Sequence, residues 1–403
     1  MVKLFVYPGP QPKEGSGVGA AMTKPSTGFL VLAACLCGCG AGGVAADAGL
    51  DPDGGPPVAD SGLPGADGGP AEDGGLWGDD GGTAEDGGLL GDDGGVSLAA
   101  RIAAATDTAQ SGTNACASIQ PFFWEVGDQS SRLGSGSVPS NMGTPTYTGS
   151  TLLPIASASK WIYGAYVVQL RQGQLTASDI TFLTFRSGYT SFSRCLPTQT
   201  VDECVAYQNN GVHSPLSDGL FAYGGGHMEK HASLNGLGPL DNAGLAAAIL
   251  AQLGSDVGPL VYGQPQLAGG IVSSADTYAL FLRKILSGRL AMWAALGTEA
   301  VCTNPATCPQ ARNAPIPSTH SYHYSIGHWV EDDPVDGDGA FSSAGAFGFY
   351  PWIDATKRWY GIIARRDTSN TNDPNNPDAG GHGFASERCG RLIRRAWILG
   401  VAQ

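Results

Sequence analysis

The sequence predicts an α/β fold for one large domain over residues 111–403, preceded by a long segment with little to bury. The domain's roughly 300 residues are enough for one large core, or for a core with a helical subdomain. The apolar run at residues 122–126 is assigned to a first strand. An apolar stripe at helical spacing predicts a helix after Pro154. The stripe consists of Trp161, Ile162, Ala165 and Val168.

Residues 40–110 are predicted to form a disordered tether. Residues 40–95 are mainly Gly, Asp, Pro and Ala, and one 13-residue unit occurs twice between residues 70 and 95. The formal charge is -14, of which this stretch carries -13 and residues 1–39 carry +2, so that -3 remains for residues 96–403. Such a segment extends by self-repulsion. A calcium-binding repeat is the alternative, although this period matches neither an EF-hand loop nor a nonapeptide repeat.

Residues 1–39 are predicted to be an export signal, with translation starting at Met22. A basic residue precedes the apolar stretch 28–36, which is too short to span a bilayer. Leu32-Ala33-Ala34-Cys35 is similar to a bacterial lipobox, which predicts lipidation of Cys35, with Cys39 as the second candidate. We therefore expect an envelope protein, lipid-anchored in the outer membrane or periplasm, or secreted. A plain secretory signal is the alternative.

Ser157 and Lys160 form the only Ser-x-x-Lys in the chain. At this spacing both side chains share one face of a helix, with about 5–6 Å between Cβ atoms. A serine hydroxyl is a weak nucleophile until a neighbour takes its proton, and a desolvated lysine can be neutral enough to do so. The pattern predicts a nucleophile and its base. The alternative is an ordinary helix with a surface lysine.

Five further segments follow this pair along the chain. They are LTFRSG (183–188), FAYGG (221–225), GGIVSSAD (269–276), YHYSIGHWVE (322–331) and FSSAGAFG (341–348). They are similar to the motifs Leu-Thr-His-Thr-Ser-Gly, Tyr-x-Asn, Gly-Gly-x-x-Ser-Thr-Ala-x-Asp, Tyr-Gly-x-Gly-x-Trp and Lys/His-Thr-Gly. In this order they resemble the serine hydrolases with the penicillin-recognising fold: class C β-lactamases, D-alanyl-D-alanine peptidases and related esterases. The resemblance covers about residues 121–398.

This resemblance implies an antiparallel sheet flanked by helices plus a mainly helical subdomain, the β-lactamase/transpeptidase-like fold. The sheet would consist of the first strand and of residues 324–331, 345–354 and 359–365. A last helix, residues 386–399, would pack on it. Residues 157–300 would form the helical region, with the active site in the cleft between the two.

The resemblance also implies the roles of individual residues. Ser157 would be the nucleophile, and Lys160 and Tyr223 would transfer its proton. The backbone N–H groups of Ser157 and Ala346 would form the oxyanion hole. The residues expected to line the substrate site are Ser343, Ala344 and Gly345. Trp161, Phe185 and Tyr189 either wall the pocket or pack in the core. No cofactor is expected.

Two departures from the family bear on the substrate. Ser343 stands where the family has Lys or His, and Gly225 stands where it has Asn. Both favour an ester or another amide over a β-lactam or a peptide carboxylate, although Arg365 or Arg366 could supply a cation. The alternatives are a β-lactamase or D-alanyl-D-alanine peptidase acting on cell wall, and a non-catalytic envelope protein that binds a ligand.

Two other matches compete with these assignments. Tyr207-Gln208-Asn209 is a literal Tyr-x-Asn, but it lacks the Phe-x-Tyr lead-in that precedes Tyr223. Ser217-Asp218-Gly219 half-matches Ser-Asp-Asn, and the turn-forming character of these three residues favours a turn.

Six cysteines follow the signal, and an even number in an exported chain suggests disulfides, with 15 possible pairings. Proximity in sequence suggests Cys195–Cys204 and Cys302–Cys308, which leaves Cys116–Cys389. The family's fold supports this third pair, because its first strand and last helix are neighbours. A cysteine nucleophile or a zinc site is the alternative.

His227 and His231 lie four residues apart on a predicted helix and could bind a metal, but Met228 stands where the zincin pattern needs Glu. We therefore expect no metal site. His382 is expected in an exposed loop. The sequence has no basic patch that would indicate nucleic-acid binding. The expected partners are therefore a small ester or amide and, through the lipid, a membrane. A monomer is expected.

Overall fold

The chain is described from a computed structural model over residues 95–140, 146–369 and 380–403. The export signal, Cys35 and residues 40–94 of the expected tether lie outside the described residues. The strands are β1 (Phe122–Gly127), β2 (Arg132–Val138), β3 (Leu153–Pro154), β4 (Phe221–Ala222), β5 (Val261–Tyr262), β6 (Ile271–Ser273), β7 (Val301–Cys302), β8 (Ala311–Asn313), β9 (His323–Tyr324), β10 (Trp329–Glu331), β11 (Ala340–Ser342), β12 (Tyr350–Ile353) and β13 (Tyr360–Ala364). The α-helices are α1 (Leu98–Gln110), α2 (Ser159–Leu170), α3 (Ala177–Leu183), α4 (Val201–Ala206), α5 (Gly226–Ala232), α6 (Asn242–Leu253), α7 (Ala275–Leu286), α8 (Met292–Ala295) and α9 (His382–Leu399).

The main sheet has the strand order β2-β1-β13-β12-β11-β10-β9-β7, and its neighbouring strands pair antiparallel. The predicted fold class is therefore confirmed. The sheet carries α9 on one face, where Trp397 and Ile393 share a buried cluster with Trp124 and Tyr350. The larger core cluster includes residues of α2, α6 and α7.

Two predicted strands are each interrupted. The run 324–331 is a hairpin, in which Ser325 N–H donates to His328 O and Gly327 takes a positive φ of 73°. A Cβ at Gly327 would lie 2.6 Å from the Lys160 carbonyl oxygen, so the hairpin approaches α2 closely only because this residue is glycine. The run 345–354 begins as a turn, closed by Gly345 N–H donating to Phe349 O, and becomes strand only at Tyr350.

The expected boundary between tether and domain at residue 110 is wrong, because residues 98–110 form α1. Ser97 caps the helix by accepting a hydrogen bond from Ala100 N–H. Ala105 and Ala109 are buried in the cluster that α9 shares, and Arg101 donates to the carbonyl oxygen of Trp397 at 2.6 Å. Small alanine side chains let α1 pack closely against α9, which makes this helix part of the folded domain.

The three expected disulfides are confirmed: Cys116–Cys389, Cys195–Cys204 and Cys302–Cys308. The first joins the segment between α1 and β1 to α9 across 273 residues. The helix α9 starts at His382, four residues before the predicted start. His382 is buried, and its Nε2 donates to Ser369 O, so the expectation of an exposed loop histidine is wrong.

Candidate active site

Ser157 lies in a single 3-10 turn, Ala156–Ala158, that leads directly into α2. The preceding residue, Ala156, has a φ of 45°, a conformation that L-residues adopt only under constraint. Ile155 N–H donates to Ile271 O, which ties the turn to β6. Ser157 is half-buried while the residues on either side of it are buried, so the turn presents the hydroxyl at the surface of the core.

Lys160 lies one turn further along, with its Nζ 3.0 Å from Ser157 Oγ. The same Nζ donates to the carbonyl oxygen of Ala268 at 2.7 Å. Lys160 is only 4% exposed. Burial lowers the pKa of Lys160 to about 7, and the nearby Glu229 carboxyl opposes this shift. A substantial fraction of the amine is therefore neutral near pH 7 and can accept a proton.

Tyr223 follows β4 and lies beside the same pair. Burial raises the pKa of Tyr223 to about 12, and the nearby side chains of Ser157 and Trp329 oppose this shift. Lys160 Nζ lies 5.0 Å from the centroid of the tyrosine ring. The structure thus brings Ser157, Lys160 and Tyr223 together. The competing Tyr207 instead accepts a hydrogen bond from Gln208 at its hydroxyl.

An aromatic cluster holds the Tyr223 ring. Trp329 of β10 stacks on it at 5.4 Å, and the rings of Phe185 and Tyr324 meet it edge-on at 5.3 and 5.8 Å. Phe185 has a φ of 59°, and its carbonyl oxygen accepts a hydrogen bond from Ala222 N–H, one residue before Tyr223. The hydroxyl position is therefore set by residues of three separate segments.

The comparisons with known proteins can now be set beside this geometry. No family model matches the chain, and no curated protein matches its sequence. A solved structure of a candidate β-lactamase from Bacteroides dorei superposes with a TM-score of 0.51 at 18% identity, over 69% of this chain and 94% of that one. The chain has a β-lactamase-like fold.

Two other solved structures are similar. The D-amino acid amidase from Ochrobactrum anthropi has a TM-score of 0.49 at 12% identity, over 69% of this chain and 95% of its own. The simvastatin synthase LovD from Aspergillus terreus has a TM-score of 0.46 at 13% identity, over 72% of this chain and 99% of its own.

The segment Ser343-Ala344-Gly345 follows β11 and packs on the turn Ala156–Ala158. Ser343 is 2% exposed, and its hydroxyl donates to the carbonyl oxygen of Ser157 at 2.9 Å. A Cβ at Gly345 would lie 2.3 Å from the carbonyl oxygen of Ile155, so only glycine fits there. Ala344 is half-buried and Ala346 is exposed at the tip of the turn. Among the described residues, neither Ser157 N–H nor Ala346 N–H donates to a backbone carbonyl outside its own element.

Gly225, two residues after Tyr223, has a neighbouring aromatic ring in the space that a side chain would need. A Cβ at Gly225 would lie 2.9 Å from Cδ1 of Phe192. Cβ atoms at Gly224 and Gly226 would also meet backbone oxygens of the segment 189–192. Three consecutive glycines therefore allow this segment to lie directly on the start of α5, close to the Cys195–Cys204 disulfide.

The other residues singled out in the sequence make contacts with protein groups. Arg365 is buried and donates to Ser386 Oγ at 3.0 Å, toward the start of α9. Arg366 accepts a hydrogen bond from Tyr147 at its carbonyl oxygen. Trp161 is fully buried and stacks on His328 at 5.5 Å, which places it in the core. Tyr189 is half-buried and stacks on Phe182.

Both histidines of the His-x-x-x-His pair are bonded to protein groups at both ring nitrogens. His227 Nε2 donates to Ala222 O at 2.9 Å, and its Nδ1 accepts from the Ser187 hydroxyl at 2.7 Å. His231 Nε2 donates to Asp179 at 2.9 Å, and its Nδ1 accepts from Tyr163 at 2.7 Å.

Sequence reasoning missed Glu229, which lies between these two histidines. Its side chain is fully buried, and it interacts electrostatically with Lys160. An acidic residue within a buried run six positions after Tyr223 was the available signal.

Over residues 95–140, 146–369 and 380–403, no helix combines the length and the hydropathy needed to cross a bilayer.

Proposed function

We propose that this protein is a serine hydrolase that forms an acyl-enzyme on Ser157, with a small ester as the preferred substrate and an amide as the second choice. The observation that carries the proposal is the 3.0 Å distance between Lys160 Nζ and Ser157 Oγ in a setting where burial lowers the lysine pKa to about 7. A lysine that can be neutral at this distance is a base for the serine proton.

Acylation would proceed as follows. Ser157 Oγ attacks the substrate carbonyl carbon, and its proton passes to Lys160. Tyr223, which remains protonated because its pKa is about 12, donates a proton to the leaving group and regains one from the Lys160 ammonium. Water then attacks the acyl-enzyme with the same base, which returns Ser157 to the free hydroxyl. Ser157 N–H and Ala346 N–H would bind the oxyanion, and losing one such donor typically costs about 10²–10³ in turnover.

The segment Ser343-Ala344-Gly345 supports the ester preference. Ser343 carries no charge to pair with a substrate carboxylate, and its hydroxyl is already bonded to Ser157 O. Arg365 is turned toward α9 by its bond to Ser386. These contacts weigh against the β-lactamase or cell-wall peptidase alternative. The contact of Lys160 with Ser157 weighs against a binding protein without catalysis.

The test is a substrate panel on the full-length protein: p-nitrophenyl esters, a chromogenic cephalosporin and a D-amino-acid amide. Ester turnover should exceed cephalosporin turnover, and an organophosphonate should label Ser157. Ser157→Ala should abolish both while the protein stays folded. Lys160→Ala and Tyr223→Phe should each cost orders of magnitude, and the double variant little more, because both serve one proton transfer.

Ser187→Ala is the matched control, because it removes a serine hydroxyl that is likewise hydrogen-bonded to a basic side chain, His227. It should retain labelling and turnover. Label on Ser187, or full activity in Ser157→Ala, contradicts the proposal. Faster turnover of the cephalosporin than of the esters would make a β-lactam the preferred substrate instead of an ester.

We further propose that Cys35 is lipidated and anchors the enzyme to the envelope through the acidic tether. The disulfides support an extracytoplasmic location, because such bonds persist in oxidising compartments. Cys35→Ala should release the protein from the membrane fraction, whereas Cys39→Ala should not. The reverse result would assign the lipid to Cys39. If neither variant is released from the membrane fraction, the protein has no lipid anchor.

A further inference from the structure

Glu229 is a buried acid that holds a turn next to the active site. Its side chain lies on α5, and its Oε1 accepts a hydrogen bond from Ala268 N–H at 3.1 Å. The turn 267–269 is therefore tied to this carboxyl group through the amide of Ala268.

The same turn holds Lys160 from its other side. The carbonyl oxygen of Ala268 accepts a hydrogen bond of 2.7 Å from Lys160 Nζ, whose second contact is Ser157 Oγ. A path of direct contacts thus runs from Glu229 through the backbone of Ala268 to Lys160 and Ser157. Any movement of the turn changes the direction of the lysine amine.

The second carboxyl oxygen, Oε2, has no hydrogen-bond partner among the described residues, although Glu229 is 0% exposed. The titratable groups around it are Lys160 and Tyr163 on α2 and Tyr262 on β5. Burial raises the pKa of both tyrosines well above its ordinary value, so they remain neutral. Lys160 is thus the cation among these neighbours.

We propose that Glu229 is a positioning residue for Lys160: it fixes the Leu267–Ala268 turn that aims the amine at Ser157, and it supplies the negative charge that balances the amine when protonated. This inference rests on the proposed serine hydrolase function. Glu229 does not touch the substrate; it acts through Lys160.

The charges of the two groups are consistent with this role. Burial raises the pKa of Glu229 to about 8, while the Ala268 and Leu267 amides and Lys160 lower it. Burial lowers the pKa of Lys160 to about 7, and Glu229 raises it. Each group makes the charged form of the other more favourable, so Glu229 gives up its proton more readily once Lys160 has taken the proton of Ser157.

The experiment compares wild type with Glu229→Gln in the full-length protein. Glutamine keeps an oxygen for the Ala268 amide but removes the charge. Only seven lysines are present, so ¹⁵Nζ spectra of lysine-labelled protein can follow Lys160 directly, with its signal assigned by loss in Lys160→Ala. The pKa of Lys160 should fall, because Glu229 raises it in the wild type, and the acid limb of kcat/KM for an ester should move to lower pH with it.

Glu387→Gln is the matched control. Glu387 is also a buried acid, 3% exposed, with an unpartnered Oε2 and a pKa raised to about 8 by burial, but it lies on α9 and accepts from Tyr322. Its substitution should leave the Lys160 titration and the acid limb unchanged. Equal shifts in both variants would overturn the proposal, because the effect would then be general destabilisation.

Glu229→Asp separates position from charge and serves if Glu229→Gln does not fold. The shorter acid keeps the charge but withdraws from the turn, so the acid limb should stay in place while kcat falls by up to about 100-fold. An unchanged kcat in Glu229→Asp, or an unshifted Lys160 in Glu229→Gln, overturns the inference. Failure of the proposed function looks different: wild type would neither hydrolyse esters nor be labelled at Ser157, whatever the Lys160 titration shows.

Discussion

The hydroxyl of Ser343 donates a 2.9 Å hydrogen bond to the carbonyl oxygen of Ser157. The bond joins the end of β11 to the 3-10 turn Ala156–Ala158, two elements 186 residues apart in sequence. Ser343 therefore holds the turn that carries Ser157.

We expect Ser343→Ala to lower both stability and turnover, because it removes the hydrogen bond that ties the end of β11 to the Ser157 carbonyl oxygen. The free energy of unfolding, measured by urea titration, should fall by about 0.5–1.5 kcal/mol. Ser343→Thr keeps a hydroxyl and is the control. Wild-type stability and turnover in Ser343→Ala would show that the bond has no role in holding the turn.

Ser343→Lys should raise acylation by a cephalosporin relative to ester cleavage, since an ammonium can pair with the β-lactam carboxylate. The structure adds a cost, because the change removes the bond to Ser157 and places a long side chain at a buried position. Acylation rates for both substrates and the melting temperature would be measured together. An unchanged cephalosporin-to-ester ratio would argue against a substrate carboxylate near residue 343.

The rate of ester hydrolysis should rise with pH through about 7. Lys160 must be neutral to take the serine proton, and burial lowers its pKa to that value, so each unit below it should cost about tenfold in kcat/KM. No fall in rate due to Tyr223 is expected below about pH 12. Stopped-flow or steady-state profiles from pH 5 to 9 would test this. An acid limb near pH 4 would indicate a carboxylate base instead.

Gly225→Asn should be damaging alone and tolerated together with Phe192→Ala. The added Cβ would lie 2.9 Å from the Phe192 ring, whereas the backbone of Gly225, at φ -74° and ψ -31°, suits any residue. Steric overlap is therefore the expected cause. Melting temperatures and ester kcat/KM of both single variants and the double variant form the cycle. Additive effects would mean that Phe192 does not limit this position.

Removing the Cys116–Cys389 disulfide should cost more stability than removing Cys302–Cys308. The first closes a loop with a sequence separation of 273 residues and the second one of 6. In the chain-entropy model the longer loop contributes on the order of 5–6 kcal/mol before strain. Paired Cys→Ala variants, unfolded in urea, would show the order. A larger loss from the Cys302–Cys308 variant would contradict the entropic account.

Local patterns predicted the elements that local spacing controls. The Ser157–Lys160 contact follows from a three-residue separation at a helix start, and short separations predicted two of the disulfides. The family resemblance added the sheet and Cys116–Cys389. Local patterns did not predict the hairpin within residues 322–331, because its turn depends on the positive φ of Gly327 and on the space beside α2. They also missed α1, whose alanines become informative only when α9 is packed against them.

The sequence by itself determined which residues could perform the chemistry: one Ser-x-x-Lys, one tyrosine with the Phe-x-Tyr lead-in, and a segment Ser343-Ala344-Gly345 without a cation. Only the tertiary structure decided how those groups are tuned. It buries Lys160 so that its pKa falls, sets Glu229 behind the turn that holds it, stacks Trp329 on Tyr223, and fills the space at Gly225 with Phe192. In each pair the two partners lie 33 or more residues apart in sequence. Side-chain periodicity carries no information about such pairs, because desolvation and close packing depend on what the whole fold brings together.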